Sequence, residues 1–185
     1  AWTSANADSI PKLQIWEDFQ CPACKSMEDS SGSAIEKLAT DGKIRLEYRP
    51  TIFLDENLKA QNTAAGNPNS SLLASMAFGC AVDAGKALEF HRTIFQAQPL
   101  TEGKGYSIGD LTAIAGIAGV TDSAAFKDCL SSKKFEGWVN NSYDLFSKEG
   151  ISSTPTAFLN GVELKPEVLH DPTALQKAVD DAAAT

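Results

Sequence analysis

The sequence predicts a single-domain α/β protein in the order βαβ, an all-helical block, then ββα. Apolar and polar residues alternate in two short segments near the start, on either side of a helix pattern. Helical periodicity fills the middle of the chain, and an Asn-Gly turn joins two short strands near the end. A chain of 185 residues has single-domain length and can bury a core without metals or disulfides.

The first fifty residues predict a strand, a helix and a second strand. Lys12 to Phe19 and Lys43 to Arg49 have the alternation of strands. Between them, Lys25 to Thr40 has apolar residues at helical spacing, Pro22 suits the first helical position, and Gly32 is an expected bend. Short connections of one handedness make this a βαβ unit with parallel strands.

The middle of the chain, from Asn67 to about Lys148, predicts helices and no convincing strand. The expected helices are Leu72 to Gly85, Lys86 to Gln98, one capped by Ser107, one capped by Asp122 or Ser123, and roughly Ser132 to Glu149. Most of the aromatic side chains in these helices are expected to lie in the core. His91 is expected to pack between helices or be partly exposed, without a catalytic role.

The end of the chain returns to strands. Thr156 to Leu159 and Val162 to Leu164 flank the Asn160-Gly161 turn, and Pro172 opens a final helix. The predicted division therefore assigns the strands to residues 1–62 and 150–185, and a helical insertion to residues 63–149.

The net charge of the chain argues against two classes of function. Lys plus Arg is 16 and Asp plus Glu is 24, which gives a net charge of −8. Nucleic-acid binding and anionic-membrane binding need basic surface, so neither is expected. The acidic pairs Glu28-Asp29 and Asp180-Asp181 are expected to be solvated. The start of the chain has no signal-peptide pattern, which predicts either a cytosolic protein or a mature chain whose targeting segment was removed.

Cys21-Pro22-Ala23-Cys24 lies where the first strand meets the first helix. Unpaired N–H groups and the positive dipole end at a helix N-terminus stabilise a thiolate, so a lowered pKa is expected for Cys21. Two intervening residues place Cys24 close enough to close a disulfide or to resolve a mixed one. The alternative is half of a structural zinc site, which needs a second ligand pair. Cys80, Cys129, His91 and His170 lack partners at ligand spacing, so redox chemistry is favoured and no metal is expected.

A second sequence feature that bears on function is Thr154-Pro155, directly before the third predicted strand. Proline is tolerated there because the first position of a strand need not donate a hydrogen bond. A cis Thr-Pro bond would aim the Thr154 backbone outward. Taken alone, Pro155 is more typical of an ordinary loop proline; the nearby cysteine motif favours the cis form.

Together these elements resemble the DsbA family of thioredoxin-fold proteins over nearly the whole chain. Three local segments carry the resemblance: Trp16 to Gln20 before the motif, Leu88 to Phe95 in the insertion, and Phe158 to Gly161 after the proline. The chain looks most like extracytoplasmic members from Gram-positive, particularly actinobacterial, cell envelopes. The resemblance implies a thioredoxin-like fold (βαβ … ββα) with an all-helical insertion.

The resemblance also implies roles for individual residues. Cys21 matches the exposed nucleophile and Cys24 the resolving cysteine. Thr154-Pro155 matches the cis-proline loop, which packs against the disulfide and offers main-chain hydrogen bonds to a bound peptide by strand addition. Pro22 and Ala23 complete the motif.

Two positions depart from the family pattern. Ala23 stands where the best-known members have histidine, so the pKa of Cys21 is expected to be lowered less than in them. Ile15 stands where well-studied relatives have a buried acid, six positions before the nucleophile. Asp18, three positions before Cys21, is expected to replace that acid in proton transfer; the alternative is an ordinary exposed or cap-adjacent carboxylate.

The remaining cysteines, Cys80 and Cys129, fall in two predicted helices. Each alone is compatible with a small buried apolar residue. The even cysteine count and the family's oxidising location favour a structural disulfide between them. Its loop of 49 residues would be worth roughly 4 kcal/mol in the chain-entropy model.

The function expected from these features is that of a thiol–disulfide oxidoreductase that donates its Cys21–Cys24 bond to reduced, exported polypeptides. The resemblance implies that a membrane-bound partner reoxidises it and that no cofactor is needed beyond the disulfide. It also implies an extracytoplasmic location, with which a membrane anchor in the full-length protein is compatible. The alternatives are a reductase or isomerase on the same fold, and a peptide-binding module with a passive disulfide. A glutathione-transferase-like relative is disfavoured because such proteins usually lack the paired cysteines.

Overall fold

A computed structural model describes residues 9–184 of the chain, and its centre is a four-stranded mixed sheet. The first eight residues and Thr185, which the predicted division includes, lie outside the described residues. The strands are β1 (Lys12–Glu17), β2 (Arg45–Pro50), β3 (Thr156–Leu159) and β4 (Val162–Glu163). Their order is β2-β1-β3-β4, with β1 parallel to β2 and with β3 antiparallel to both β1 and β4. The predicted α/β fold with a βαβ start and a ββα end is confirmed.

Helices make up most of the rest of the described chain. They are α1 (Pro22–Met27), α2 (Ser33–Thr40), α3 (Phe53–Asn57), α4 (Lys59–Ala64), α5 (Ser70–Asp83), α6 (Ala87–Gln96), α7 (Ile108–Ile117), α8 (Ser123–Ser131), α9 (Glu136–Lys148), α10 (Pro166–Leu169) and α11 (Pro172–Ala183). None of the described helices is both long and apolar enough to span a membrane. The insertion from α5 to α9 is all-helical, as predicted.

The described residues form two hydrophobic cores. One core joins the insertion helices to Phe19, Cys21 and Cys24. The other packs Leu13 and Ile15 of β1 against α2 and α11. The cysteine motif therefore packs against the helical insertion, and Tyr48 contacts both cores.

The helix after the motif is interrupted. It begins at Pro22, the first helical position that the sequence predicts, and a π-helical turn at Glu28–Gly32 separates α1 from α2. The bend expected at Gly32 is thus a π turn, a feature often found at functional sites. A Cβ at Gly32 would collide with the Glu28 carboxyl, so glycine leaves room for that side chain to fold inward.

Several local predictions can be compared directly with the structure. Ser107 caps α7 in a capping box with Asp110, and Asp122 caps α8, as expected. The short helices α3, α4 and α10 were not predicted. The predicted boundary between residues 62 and 63 falls within α4 (Lys59–Ala64), so the division into two parts stays a proposal.

Candidate active site

The two motif cysteines have very different surroundings. Cys21 is the N-cap of α1 and is 7% exposed, whereas Cys24, one turn later, is fully buried. Pro22 and Ala23 between them are exposed. Both cysteines are free thiols, so the structure represents the reduced state. A partner can therefore approach Cys21 and the exposed Pro22 and Ala23, while Cys24 is screened from it.

The surroundings of Cys21 lower the pKa of its thiol to about 6. A hydrogen bond from the Cys24 side chain contributes most to this change. The Thr154 side chain and the backbone N–H groups of Ala23 and Cys24 also stabilise the thiolate, while partial burial opposes them. The lowered pKa expected from the helix N-terminus is therefore present, and the thiolate is the main form at neutral pH.

The surroundings of Cys24 have the opposite effect. Burial raises the pKa of its thiol well above the ordinary value, and the charges of Cys21 and Glu17 raise it further. Cys24 therefore keeps its proton at neutral pH. A pair with one thiolate and one thiol is the form that thiol–disulfide exchange requires.

The Thr154-Pro155 loop lies against the nucleophile. Its peptide bond is cis, as the cysteine motif favoured. The Cys21 thiol donates a hydrogen bond to the Thr154 carbonyl oxygen at 3.4 Å. The loop is placed by β3, which begins at Thr156 opposite Trp16 in the neighbouring strand β1.

A buried polar cluster lies behind the cysteines. The Glu17 carboxyl and His91 Nε2 share a hydrogen bond of 2.7 Å, and Glu28 lies 3.7 Å from the other ring nitrogen. His91 is fully buried and stacks on Tyr48, with ring centroids 3.7 Å apart. The expectation that Glu28 is solvated is wrong, because its side chain is only 6% exposed and points inward at the π turn. Its neighbour Asp29 is exposed as expected.

The protonation of this cluster follows from its burial. Burial raises the pKa of Glu17 well above the usual range and raises that of Glu28 to about 8, while it lowers the pKa of His91. A hydrogen bond between the two carboxyls favours the ionised form of Glu17 and the protonated form of Glu28. The charge of Cys21 also raises the pKa of Glu17, which links the cluster to the thiols.

Asp18 has different partners from those its expected role requires. Its carboxylate accepts hydrogen bonds from Ser71 Oγ at 2.7 Å, from the Gln20 N–H at 2.9 Å and from the Leu54 N–H at 3.2 Å. Burial raises its pKa to about 7. The carboxyl whose charge acts on both cysteines is Glu17, so these contacts do not support Asp18 in proton transfer to Cys24.

The network around Asp18 fixes the residue before the nucleophile. The Gln20 side-chain amide donates to Ser71, Asp55 and Asn62, at distances from 2.8 to 3.3 Å. These partners come from α3, α4 and α5, so the unpredicted short helices α3 and α4 take part in it. The network holds the backbone that leads into Cys21.

Sequence reasoning missed Glu17, Glu28 and His91 as one cluster. The available signal was that Glu17 follows Leu13 and Ile15 in the alternation of β1, and so points to the same face as these buried residues. Glu28 gave no signal of its own, since its direction depends on the π turn.

The same three residues are the described group that could hold a metal ion, since their ligand atoms lie within 4.8 Å of one another. Hydrogen bonding already joins Glu17 to His91. This accounts for the cluster without an ion, and the expectation that no metal is needed stays a prediction.

The second cysteine pair is bonded. Cys80 in α5 and Cys129 in α8 form a disulfide, with Cα atoms 6.0 Å apart. This is the pairing that the sequence analysis favoured. It lies within the insertion and ties two of its packed helices together.

Comparisons with known proteins agree with this geometry. A family model described as Thioredoxin matches residues 5–181. "Disulfide bond formation protein D" of Bacillus subtilis is 25% identical over 151 residues, which are 80% of this chain. The chain spans 62% of the length of that relative.

Solved structures give the same result. A disulfide bond oxidoreductase (DsbG) from Mycobacterium tuberculosis is 28% identical, with a TM-score of 0.72 over 95% of this chain and 84% of its own. MdbA, a thiol-disulfide oxidoreductase from Actinomyces oris, is 26% identical, with a TM-score of 0.76 over 94% and 82%. BdbD from Bacillus subtilis, at 20% identity and a TM-score of 0.77 over 98% and 91%, supports the fold. The resemblance to DsbA-type proteins of Gram-positive and actinobacterial origin is confirmed.

Proposed function

The chain belongs to the thioredoxin family, and we propose that it is a thiol–disulfide oxidoreductase that donates its Cys21–Cys24 disulfide to reduced exported polypeptides. The observation that carries this proposal is the unequal acidity of the two thiols. The pKa of Cys21 is lowered to about 6, while that of Cys24 is raised well above the ordinary value. A stabilised Cys21 thiolate favours the reduced form of the pair, and so favours giving the disulfide away.

The first step of the reaction uses Cys21 as the point of attack. A substrate thiolate attacks Cys21 Sγ, the Cys21–Cys24 bond breaks, and the electron pair leaves on Cys24 Sγ. The product is a mixed disulfide between the substrate and Cys21. A second substrate thiolate then attacks the substrate sulfur, and Cys21 leaves as a thiolate. The substrate is oxidised by two electrons and the cysteine pair is reduced by two.

Cys24 must gain a proton in the first step, because its raised pKa makes it a thiol in the reduced protein. Glu17 is the carboxyl whose charge couples to both cysteines, so we assign the transfer of this proton to Glu17. His91 holds the Glu17 carboxyl in place through the 2.7 Å hydrogen bond. Asp18 serves as a positioning residue, since it anchors the segment before Cys21.

Substrate chains are expected to pair with the backbone beside Pro155 as an added strand. We propose that these chains are unfolded or reduced exported polypeptides, which the protein meets outside the cytoplasm. A membrane anchor in the full-length protein is compatible with this location. A membrane-bound partner would then accept two electrons from the reduced pair and restore the disulfide. The name of the relative "Disulfide bond formation protein D" supports a role in disulfide formation. The mechanism needs no cofactor besides the disulfide.

The direction of the reaction is tested by the reduction potential of the Cys21–Cys24 pair in a glutathione buffer. Oxidants of the DsbA type lie near about −120 mV and thioredoxin near about −270 mV. We expect a value above about −150 mV. A value near −250 mV or below, on the same scale, would make the protein a reductase or an isomerase. If the disulfide does not exchange with glutathione at all, the remaining candidate function is that of a peptide-binding module.

A further inference from the structure

Gln98 directly follows the C-cap of α6, and its buried side chain reaches the backbone around the nucleophile. Its amide nitrogen donates to the carbonyl oxygen of Phe19 at 2.9 Å and to that of Cys21 at 3.1 Å. These carbonyls lie before and after the Cα atom of Cys21 along the chain. Both are acceptors, so only the NH₂ end of the amide fits between them. One side chain of the insertion therefore bridges the backbone across the nucleophile.

Each of the two bridged carbonyls has a second donor. The Tyr106 hydroxyl donates to the Phe19 oxygen at 3.0 Å, and the Tyr106 side chain is buried. The Cys21 oxygen also accepts the N–H of Lys25 at 3.1 Å, which is the backbone hydrogen bond that opens α1. The turn between β1 and α1 is thus fixed from the helix that it starts and from the insertion.

The backbone at Cys21 decides which groups face its sulfur. No side chain caps α1, and the backbone N–H groups of Ala23 and Cys24 stabilise the Cys21 thiolate. They face the sulfur because the peptide that joins Cys21 to Pro22 has one fixed orientation. The carbonyl of that peptide is the one that Gln98 holds. Gln98 therefore acts on the thiolate indirectly, through the backbone.

We propose that Gln98 is a positioning residue, which keeps the Cys21 sulfur within reach of the free N–H groups of α1 during disulfide exchange. This inference rests on the proposed function and gives the helical insertion a part in that reaction. Exchange attaches a substrate chain to Cys21 Sγ, and a loosely held N-cap would let the leaving thiolate turn away from its donors. The α6 segment then serves both cysteines, because His91 holds Glu17, whose charge acts on Cys24.

The test replaces Gln98 by methionine, which has a similar size and no N–H to donate. Both carbonyls keep their second donor, Tyr106 or Lys25, so Gln98→Met is expected to fold. Loss of the bridge should raise the pKa of Cys21 by about one unit, since a hydrogen bond to a charged group contributes about tenfold at the lower end of its range. The ultraviolet absorbance of the thiolate measures this pKa, because Cys24 keeps its proton in the same pH range.

The second measured quantity is the reduction potential, at a pH above the pKa of Cys21 in both proteins. A thiolate that is about tenfold less stable makes the reduced form about tenfold less favoured, which lowers the potential by about 30 mV. Tyr106→Phe removes one of the two donors to Phe19 and should raise the pKa of Cys21 by about half a unit. The matched control is Thr93→Val, which should change neither quantity. Thr93 is also buried, and its hydroxyl donates to the Glu89 carbonyl within α6 at 2.6 Å.

A raised pKa of Cys21 and a lowered potential in Gln98→Met, with natural values in Thr93→Val, support the inference. A natural value of either quantity in Gln98→Met, or shifts of the same size in Thr93→Val, overturn it, because the hydrogen bonds of Gln98 then serve stability alone. If Gln98→Met does not fold, the pKa of Cys21 in Tyr106→Phe decides: a rise supports the inference and a natural value overturns it. The proposed function fails separately, if the natural protein does not oxidise a reduced peptide.

Discussion

This chain has two pairs of cysteines that lie close enough to form a disulfide, but the two pairs lie in different surroundings. Cys21 and Cys24 are two residues apart in sequence, at the start of a helix, and both are free thiols. Cys80 and Cys129 are 49 positions apart, in two packed helices of the insertion, and are bonded. The sulfurs of the first pair have unequal neighbours, which separate their pKa values. We therefore expect position in the fold to determine that the first pair exchanges and the second only cross-links.

The largest expected difference between the pairs concerns exchange. Cys21→Ala is expected to abolish disulfide exchange, because no other sulfur at the motif faces an approaching thiolate. Cys24→Ala is expected to accumulate mixed disulfides, since the resolving thiol is absent. Mass spectrometry of each variant after reaction with a disulfide-bonded peptide measures both results, because the Cys21 thiolate of Cys24→Ala attacks the peptide disulfide and releases one peptide thiolate.

The matched variant carries Cys80→Ala and Cys129→Ala together and is expected to keep its exchange activity. The result that contradicts the comparison is exchange by Cys21→Ala at the natural rate. Loss of exchange in a folded double variant would also contradict it, because the second pair would then take part in the chemistry.

The next largest effect concerns stability. Removing the Cys80–Cys129 bond should lower the free energy of unfolding by about 4 kcal/mol in the chain-entropy model. Opening the Cys21–Cys24 ring, which spans two residues, should cost far less by the same reasoning. Urea unfolding of the oxidised natural protein and of the double variant checks this. Peptide mapping without reductant should find Cys80 joined to Cys129; two free thiols would show that the bond does not form.

The sequence predicts the roles of Cys21 and Cys24 better than it predicts which side chains surround them. Cys21, Cys24 and Pro155 belong to short local patterns, and each pattern carries its own chemistry. The direction of Glu28 is not local, because it depends on a π turn and on the room left by Gly32. The burial of Glu28 could therefore be found only from the structure.

From the sequence, proton transfer is assigned to Asp18 and not to its neighbour Glu17, for a related reason. Neighbouring residues at the end of a strand point to opposite sides, and the sequence does not state which side faces the cysteines. The structure turns Glu17 towards His91 and Asp18 towards Ser71. The order of strands and helices was predictable because it depends on periodicity, whereas α3 and α4 were too short to show one.

A third effect tests proton transfer behind the first pair. Glu17→Gln should slow the reduction of the oxidised protein by substrate about a hundredfold, the lower end of the range for loss of a general acid. It should also lower the pKa of Cys24, because the Glu17 charge raises it. Stopped-flow kinetics and the ultraviolet absorbance of the thiolate in Cys21→Ala measure the two quantities.

Asp29→Asn is the control for this test, since it removes an exposed carboxylate from the π turn next to Glu28. If substrate reduces Glu17→Gln at the same rate as the natural protein, Glu17 has no role in proton transfer. A lowered rate in Asp29→Asn of the same size would attribute the effect to overall charge.

The last effect is the pH dependence that the Cys21 thiolate gives to the stability of the reduced protein. The pKa of Cys21 is about 6 in the folded state and should be near about 8.5 in the unfolded chain. Between these values the folded state binds fewer protons at Cys21, so its contribution to stability grows as pH rises and is lost as pH falls through 6. The measurement compares urea unfolding of the reduced Cys80→Ala/Cys129→Ala variant with and without Cys21→Ala, so that the second pair cannot interfere. The difference between the two curves should increase across this window, because subtraction largely removes the titration of other buried groups. A flat difference would mean that Cys21 has an ordinary pKa, and the two cysteine pairs would then differ only in accessibility.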